Sequence, residues 1–261
     1  LSFWSEFYKS RKTLGFWSAI LLPLIICILI FIGFYSNSAK MANSPGMILW
    51  VRFAGAILNV MGTLLLPMFI IFIAYSVNSI EHKADTWKTL FSLPIAKWSV
   101  YTAKFLYALF MVLICLALFA LFTIGLGNLL GLVKPELKFY EYHMELMLIQ
   151  VYFKLFLSSL GILAIQFLLS LLWADFLKPM GVGFVCTIAG IIAAAADWKY
   201  AYFIPYAHPV MALKTMMPHK KGGPSTQMVI DIFTKDVYVS LAFAITVFIM
   251  GFFIVQKKSV K

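Results

Sequence analysis

Residues 100–125 read VYTAKFLYALFMVLICLALFALFTIG, a run in which Lys104 is the only charged residue. A helix needs about 20 mostly apolar residues to cross the hydrocarbon core of a bilayer. The run lacks the alternation of polar and apolar residues that a membrane β-barrel strand shows. Because only helices and closed barrels satisfy all backbone polar groups in lipid, this stretch predicts a membrane-spanning helix.

Five other stretches of the chain have the same character, and the fifth in chain order is the shortest of all six. Together they predict an all-α membrane protein with six transmembrane helices, at residues 16–35, 53–77, 100–125, 151–173, 180–196 and 237–255. We expect residues 1–261 to form a single transmembrane domain.

The composition supports lipid as the main solvent of this chain. Hydrophobic residues make up 63% of the sequence and charged residues 12%, whereas soluble domains have about 25% charged residues. The net charge is +11, but the Lys and Arg residues lie in short clusters between apolar runs, as membrane-flanking charges do. This pattern disfavours nucleic acid as a partner and favours membrane lipid.

Residues 1–15 precede the first span and predict a basic amphipathic helix that lies in the membrane interface. A frayed, charged tail is the alternative. The apolar face of this helix is formed by Phe3, Trp4, Phe7, Tyr8 and Leu14, and the remaining positions by Glu6, Lys9, Ser10 and Thr13.

Because six is an even number, both termini lie on the same side of the membrane. The distribution of basic residues favours the cytoplasmic side only weakly.

The connector between the second and third spans, NSIEHKADTWKTLFSLPIAKWSVYTAK at residues 78–104, is longer than a simple turn. Asn78 and Glu81 have the spacing of a capping box, and Pro94 ends the predicted helix. A helix resting on headgroups would favour a uniformly basic polar face, so mixed charge favours a protein partner instead. The apolar stripe is Ile80, Ala84, Trp87 and Phe91, and the polar side is Glu81, Asp85 and Lys88.

The pattern E-x-K-x-x-T-W-K-T-L-x-S-L-P-I at residues 81–95, followed by Tyr101 and Lys104, resembles the membrane subunits of type-2 ABC transporters. It is most similar to the separate-chain permeases of bacterial bacitracin and lantibiotic resistance. The resemblance implies that residues 78–93 form a cytoplasmic coupling helix and that residues 1–15 form an interfacial connecting helix. The expected ATPase-docking residues are Glu81, Asp85, Trp87, Lys88 and Phe91, with Trp87 as the anchor.

The same resemblance implies partners and a location. Two cytoplasmic ATP-binding cassette subunits would drive transport, and a second permease, identical or related, would complete the translocation path. The protein would lie in the bacterial inner membrane as a multi-pass protein with both termini in the cytoplasm. The segment between spans five and six would form re-entrant hairpin helices on the outer side.

Residues 197–236 fit a re-entrant or interfacial hairpin on physical grounds as well. Prolines break the segment into pieces too short to span, and non-helical backbone at membrane depth needs a cover of protein or water. A surface loop is the alternative. Without acidic or Cys neighbours at ligand spacing, we do not expect a metal site here. The residues of interest are Pro205, Tyr206, His208 and Pro209.

The chain lacks the G-x-x-x-x-G-K-[ST] motif that binds ATP phosphates, so ATP and Mg²⁺ are expected on the partner ATPase and no cofactor on this chain. An intramembrane enzyme is disfavoured because ionisable residues are scarce in the middle of the spans. The main polar residues there are Asn59 and Gln166. Interhelical hydrogen bonds are the favoured role for both, with contact to a transported substrate as the alternative.

The scarcity of charge along the spans also favours a hydrophobic or amphipathic cargo, such as a peptide antibiotic or a lipid. A membrane assembly or sensor subunit that transports nothing is the alternative function. Small residues recur on the fifth span and predict close packing, within the chain rather than across a dimer. They are Gly183, Thr187, Gly190 and Ala194.

Overall fold

The computed structural model describes residues 2–41, 44–83, 96–214 and 230–257. These residues form helices and connecting turns without a β-strand, and six helical stretches are long and apolar enough to cross a membrane. The predicted all-α membrane fold is therefore confirmed. The helices are α1 (Ser2–Ser10), α2 (Leu14–Ser36), α3 (Ser38–Met41), α4 (Gly46–Val60), α5 (Leu66–Lys83), α6 (Lys97–Val133), α7 (Glu145–Leu172), α8 (Leu177–Ala195), α9 (His208–Lys214) and α10 (Lys235–Lys257).

Several spans are longer than the apolar runs that predicted them. The helix α6 has 37 residues, well above the roughly 20 that hydrocarbon requires. Apolar content marks only the part of a helix that lies in lipid, whereas the helix continues as long as its backbone hydrogen bonds and packing allow. Its first turns therefore extend toward the segment that joins it to α5.

The second span consists of α4 and α5 joined by a π-helical turn at Met61–Leu65. Pro67 lies two residues after the end of this turn and cannot donate a backbone hydrogen bond, so a regular α-helical ladder is interrupted at this point. Asn59 precedes the turn, is exposed, and accepts a hydrogen bond of 2.9 Å from Thr63 Oγ1. This hydrogen bond stays within one span, so the predicted interhelical role of Asn59 remains a prediction.

The helix α7 lies at the centre of the bundle and contacts α5, α6 and α10. Its span is 67% buried, whereas the spans formed by α2 and α10 are 22% buried. The outward faces of α2 and α10 carry large exposed apolar side chains, including Leu29, Ile32 and Phe253. Such surfaces are suited to lipid and not to water.

The small residues of α8 pack within the chain, as predicted. A methyl group on Gly190 would lie 2.5 Å from the carbonyl carbon of Tyr206, and a methyl group on Gly183 would overlap Gln166 and Ile71. Only a residue without a side chain lets these segments approach so closely. Tyr206 is thereby held against the middle of the bundle.

A helix forms near the N-terminus at Ser2–Ser10, and the first span begins at Leu14, so the single segment predicted at 1–15 ends earlier than expected. Trp4 and Tyr8 of the predicted apolar face are 71% and 66% exposed, whereas Glu6 and Ser10 are buried. The interfacial position of this helix remains a prediction. Glu6 points into the protein because it has charged partners there, which periodicity alone does not reveal.

Three chain segments meet at one end of the bundle: α1, the last turn of α5 and the first turns of α6. The C-terminal half of α10 packs at the same end, where the Tyr101 hydroxyl donates a 3.0 Å hydrogen bond to the Phe248 carbonyl oxygen. The described parts of the N- and C-terminal regions therefore lie on one side, next to the ends of α5 and α6.

Candidate functional site

The chain buries a lysine where α1, α5 and α6 meet. Lys104, in the second turn of α6, has a side chain with no solvent exposure. Its ammonium group donates to Glu81 Oε2 at 2.6 Å, to Glu6 Oε2 at 2.9 Å and to the Val77 carbonyl oxygen at 3.0 Å. One ammonium group thus joins three separate segments of the chain.

Lys9 closes the same cluster from the surface. Its ammonium group lies 3.2 Å from Glu6 Oε1 and 3.4 Å from Glu81 Oε1, and its side chain is 39% exposed. Partial burial acts to lower the pKa of Lys9, but the two carboxylates outweigh burial, so that the pKa lies above its ordinary value of 10.5. Each carboxylate therefore interacts with both lysines.

The resulting charge cluster, defined here as Glu6, Lys9, Glu81 and Lys104, contains two carboxylates and two ammonium groups. Buried charges are tolerated when they are paired and hydrogen-bonded, and removal of one partner is strongly destabilising. The cluster fixes the position of α1 relative to the end of α5 and the start of α6. It holds these three helices together, and a displacement of one of them has to displace the others.

The other side of α5 is fixed to the central helix by hydrogen bonds. Asn78 Nδ2 donates to Ser170 Oγ of α7 at 2.8 Å and to the Ala74 carbonyl oxygen at 3.1 Å. His82 Nε2 lies 3.1 Å from the Ser170 carbonyl oxygen. The last turns of α5 are therefore held between α6 and α7, directly before residue 84.

This geometry corrects the prediction for the start of the coupling helix. Asn78 does not cap a new helix at residue 78, because α5 continues without interruption from Leu66 to Lys83. The side chain of Asn78 is fully buried and bonds to a neighbouring helix. The capping-box prediction for Asn78 and Glu81 is wrong because both residues lie inside α5. Asn78 Nδ2 donates to Ser170 Oγ, and the Glu81 carboxylate accepts from Lys104.

The five predicted docking residues separate into two groups. Glu81 is 2% exposed, and its carboxylate faces Lys104 and Lys9. The Glu81 carboxylate is therefore engaged inside the chain, and its predicted docking role remains a prediction. Asp85, Trp87, Lys88 and Phe91 lie outside the described residues.

The predicted outer-segment residues lie buried between α7, α8 and α10. Pro205, Tyr206, His208 and Pro209 are all buried, in two short 3₁₀ turns at Ala201–Phe203 and Pro205–Ala207 followed by α9. An exposed surface loop, the alternative, does not describe these four residues. Gly161, near the middle of α7, would place a methyl group 3.3 Å from Pro205, so the non-helical backbone reaches half-way along the central helix.

Gln166 belongs to the same packing region. Its Nε2 donates to the Tyr206 hydroxyl at 2.6 Å, which supports the predicted structural role of a hydrogen bond between segments. His208 Nε2 lies 2.9 Å from the Tyr202 carbonyl oxygen. Because a carbonyl oxygen only accepts, this nitrogen carries the hydrogen.

The sequence analysis does not predict the burial of two lysines, Lys104 and Lys154 of α7. Lys154 is 1% exposed and donates to the Asp231 carbonyl oxygen at 2.8 Å. The signal that could have revealed both is an isolated lysine inside an otherwise apolar run, since such a residue needs a buried partner.

Comparison with known proteins identifies one matching family. Residues 2–190 match the family model described as ABC-2 family transporter protein. No curated protein and no solved structure matches the chain.

Proposed function

The chain belongs to the ABC-2 family of transporter membrane proteins, and from this premise we propose that it is the permease subunit of an ATP-driven exporter. Family membership implies an ABC ATPase as partner. We propose that this ATPase is a separate cytoplasmic subunit, present in two copies, which binds ATP and Mg²⁺. A second permease, identical or related, lines the path with this one.

The observation that carries the proposal is the charge cluster at the ends of α5 and α6. A coupling element transmits force only if it is joined rigidly to the elements that must move. Residues 84–95 connect two helix ends that are held by Lys104, Glu81 and Asn78. In our proposal, movement of a docked ATPase passes through these helix ends into the second and third spans.

The docking surface of the proposal consists of Asp85, Trp87, Lys88 and Phe91, with Trp87 as the anchor. Buried aromatic residues dominate the binding energy of many protein interfaces. Lys88 and Asp85 fix the register with the ATPase, and Glu81 positions the segment from below. Both termini and this surface face the cytoplasm of a bacterial cell, and the segment at 197–236 is a re-entrant hairpin on the outer side.

The proposed cargo is a hydrophobic or amphipathic molecule, for instance a peptide antibiotic or a lipid. Support comes from the apolar spans and from the resemblance to bacitracin- and lantibiotic-resistance permeases. In the described spans, the buried lysines Lys104 and Lys154 are both engaged by protein oxygens. In our proposal these two lysines stay bound to protein oxygens and do not contact the cargo.

Co-purification tests the proposed docking. A tagged chain is expressed with its ATPase and extracted in mild detergent, and the retained ATPase is measured. Trp87→Ala and Asp85→Lys should lower the retained amount while membrane insertion stays normal. Trp198→Ala is the matched control, because Trp198 is a tryptophan that is 52% exposed on the connection from α8 toward α9. Unchanged retention in both variants would contradict the docking assignment.

Transport is tested in reconstituted vesicles that contain the permease and its ATPase. A cationic peptide antibiotic should raise ATP hydrolysis, and Trp87→Ala should abolish this response. A complex that assembles but never responds to peptide or lipid cargo would favour a role other than export.

A further inference from the structure

We infer that a pocket at the turn between α1 and α2 binds the phosphate of an anionic phospholipid. The pocket has a volume of about 570 Å³ and is lined by Phe7, Arg11, Lys12, Phe16 and Trp17. The pocket is a wide-open depression and not an enclosed cavity. Two cations and three aromatic rings line it.

The two cations of the pocket are available to a ligand. Arg11 and Lys12 are exposed. Among the residues that the structure describes, no carboxylate lies within 4.0 Å of either side chain. The nearby acid Glu6 is buried and already paired with Lys104 and Lys9. Within the described part of the chain, a positive charge thus remains at the turn without a carboxylate partner.

The geometry of Arg11 suits phosphate oxygens. Its guanidinium carbon lies 3.8 Å from the centre of the Tyr8 ring, so the ring supports one face of the guanidinium plane. The N–H groups point outward in that plane, and this fork matches phosphate oxygens in a bidentate manner. Lys12 adds a second positive charge at the same turn.

The position of the pocket selects a membrane lipid as the ligand. The first span begins at Leu14, two residues after Lys12. Trp4, Tyr8 and Trp17 are exposed on neighbouring turns, and such aromatic residues lie at the level of the headgroups. A phospholipid there can place its phosphate in the basic pocket and its acyl chains along the exposed apolar face of α2.

The pocket is adjacent to the charge cluster, which suggests what the lipid does. Arg11 lies two residues after Lys9, and the Arg11 amide donates to the Phe7 carbonyl oxygen at 3.1 Å. A lipid bound to Arg11 and Lys12 therefore fixes the C-terminal end of α1. This consequence rests on the proposed coupling function, whereas binding of the lipid does not.

Native mass spectrometry of the full-length chain tests the binding. The detergent-solubilised protein is incubated with phosphatidylglycerol or with phosphatidylcholine, and bound lipid is counted. We expect preferential retention of phosphatidylglycerol. Each basic residue near an anionic surface accounts for about a fivefold change in affinity, so R11Q/K12Q should weaken phosphatidylglycerol binding by about 30-fold.

Three controls make the result specific. K40Q/K138Q removes two exposed lysines elsewhere and should leave binding unchanged. R11K/K12R keeps both charges but loses the guanidinium of residue 11, so its binding should lie between that of the unaltered protein and that of R11Q/K12Q. If R11Q/K12Q does not fold, loss of phosphatidylglycerol from the unaltered protein at high salt replaces it as the test. Equal retention of both lipids, or salt-independent retention, overturns the proposal.

Two further outcomes identify a different ligand. Displacement of phosphatidylglycerol by inorganic phosphate alone would make the pocket a site for free phosphate. If R11Q/K12Q leaves lipid retention unchanged but lowers ATPase co-purification, the basic pocket is a protein contact. Either outcome overturns lipid binding without affecting the proposed docking of residues 84–95, which the Trp87 and Asp85 variants test independently.

Discussion

Substitution of Lys104 by methionine removes the centre of the charge cluster and keeps the side-chain volume close to that of lysine. Lys104 is fully buried, and Glu81 and Glu6 retain only 3% and 5% exposure of their side chains. At an effective dielectric constant of about 20, two unit charges 4 Å apart interact by about 4 kcal/mol. The substitution therefore leaves two buried carboxylates with the half-exposed Lys9 as their remaining cation in the cluster.

The expected loss of stability depends on whether one partner of a buried ion pair is removed or all partners are replaced. Truncation of one partner usually destabilises a protein by about 3–5 kcal/mol, whereas replacement of the whole set by apolar residues is often close to neutral. We expect Lys104→Met to lower the free energy of unfolding by about 3–5 kcal/mol. The triple variant Glu6→Met, Glu81→Met, Lys104→Met should regain most of this loss.

Unfolding in mixed micelles, followed by tryptophan fluorescence, measures both variants. Lys40→Met is the control, because Lys40 is exposed and surface substitutions usually change stability by less than about 0.5 kcal/mol. A loss below about 1 kcal/mol for Lys104→Met would be typical of a surface ion pair. That result, or a triple variant as unstable as the single one, would refute the reasoning.

Three further variants test other contacts. Lys9→Gln should destabilise the protein slightly at neutral pH. Because the pKa of Lys9 is raised above 10.5 in the folded state, the difference from the unaltered protein should be constant from neutral pH to about pH 10.5 and disappear as the pH rises through the folded pKa. Gly190→Ala should lower the thermal midpoint, because its methyl group meets the Tyr206 backbone at 2.5 Å, whereas Gly181→Ala, which meets open space, should not. Tyr206→Phe removes the acceptor of Gln166 Nε2 and should cost about 1–3 kcal/mol of stability in the same fluorescence assay.

The sequence predicted the spans well because hydropathy depends on composition within one segment. The six apolar runs correspond to six helices, and the small residues of α8 face the interior as their spacing indicated. What composition could not supply was the extent of each helix beyond lipid. The helix α5 continues through Asn78 to Lys83, where a capping pattern had suggested a helix start.

The charge cluster escaped prediction for a different reason. Glu6, Glu81 and Lys104 are 75 and 23 residues apart along the chain, and each has an ordinary local interpretation as an interfacial or flanking charge. Only the tertiary fold brings the carboxylates of Glu6 and Glu81 within 2.9 Å of the Lys104 ammonium group. Local periodicity places Glu6 and Glu81 on polar faces. An isolated helix would expose these faces to water, whereas in this fold both side chains are buried against Lys104.

The location of the cluster gives its burial a functional meaning. Buried ion sets are weak evidence for stability, since apolar side chains of similar size would serve equally well. They differ from apolar packing in specificity, because each carboxylate requires its cation in a defined place. In the proposed coupling, α1, α5 and α6 move together. An apolar contact would then let the helices slide, whereas Lys104 would keep one register. If the triple methionine variant is as stable as the unaltered chain and binds the ATPase normally, yet cargo no longer stimulates ATP hydrolysis, then the cluster serves coupling and not folding. Normal stimulation of ATP hydrolysis by cargo in that variant would show that an apolar junction transmits movement equally well.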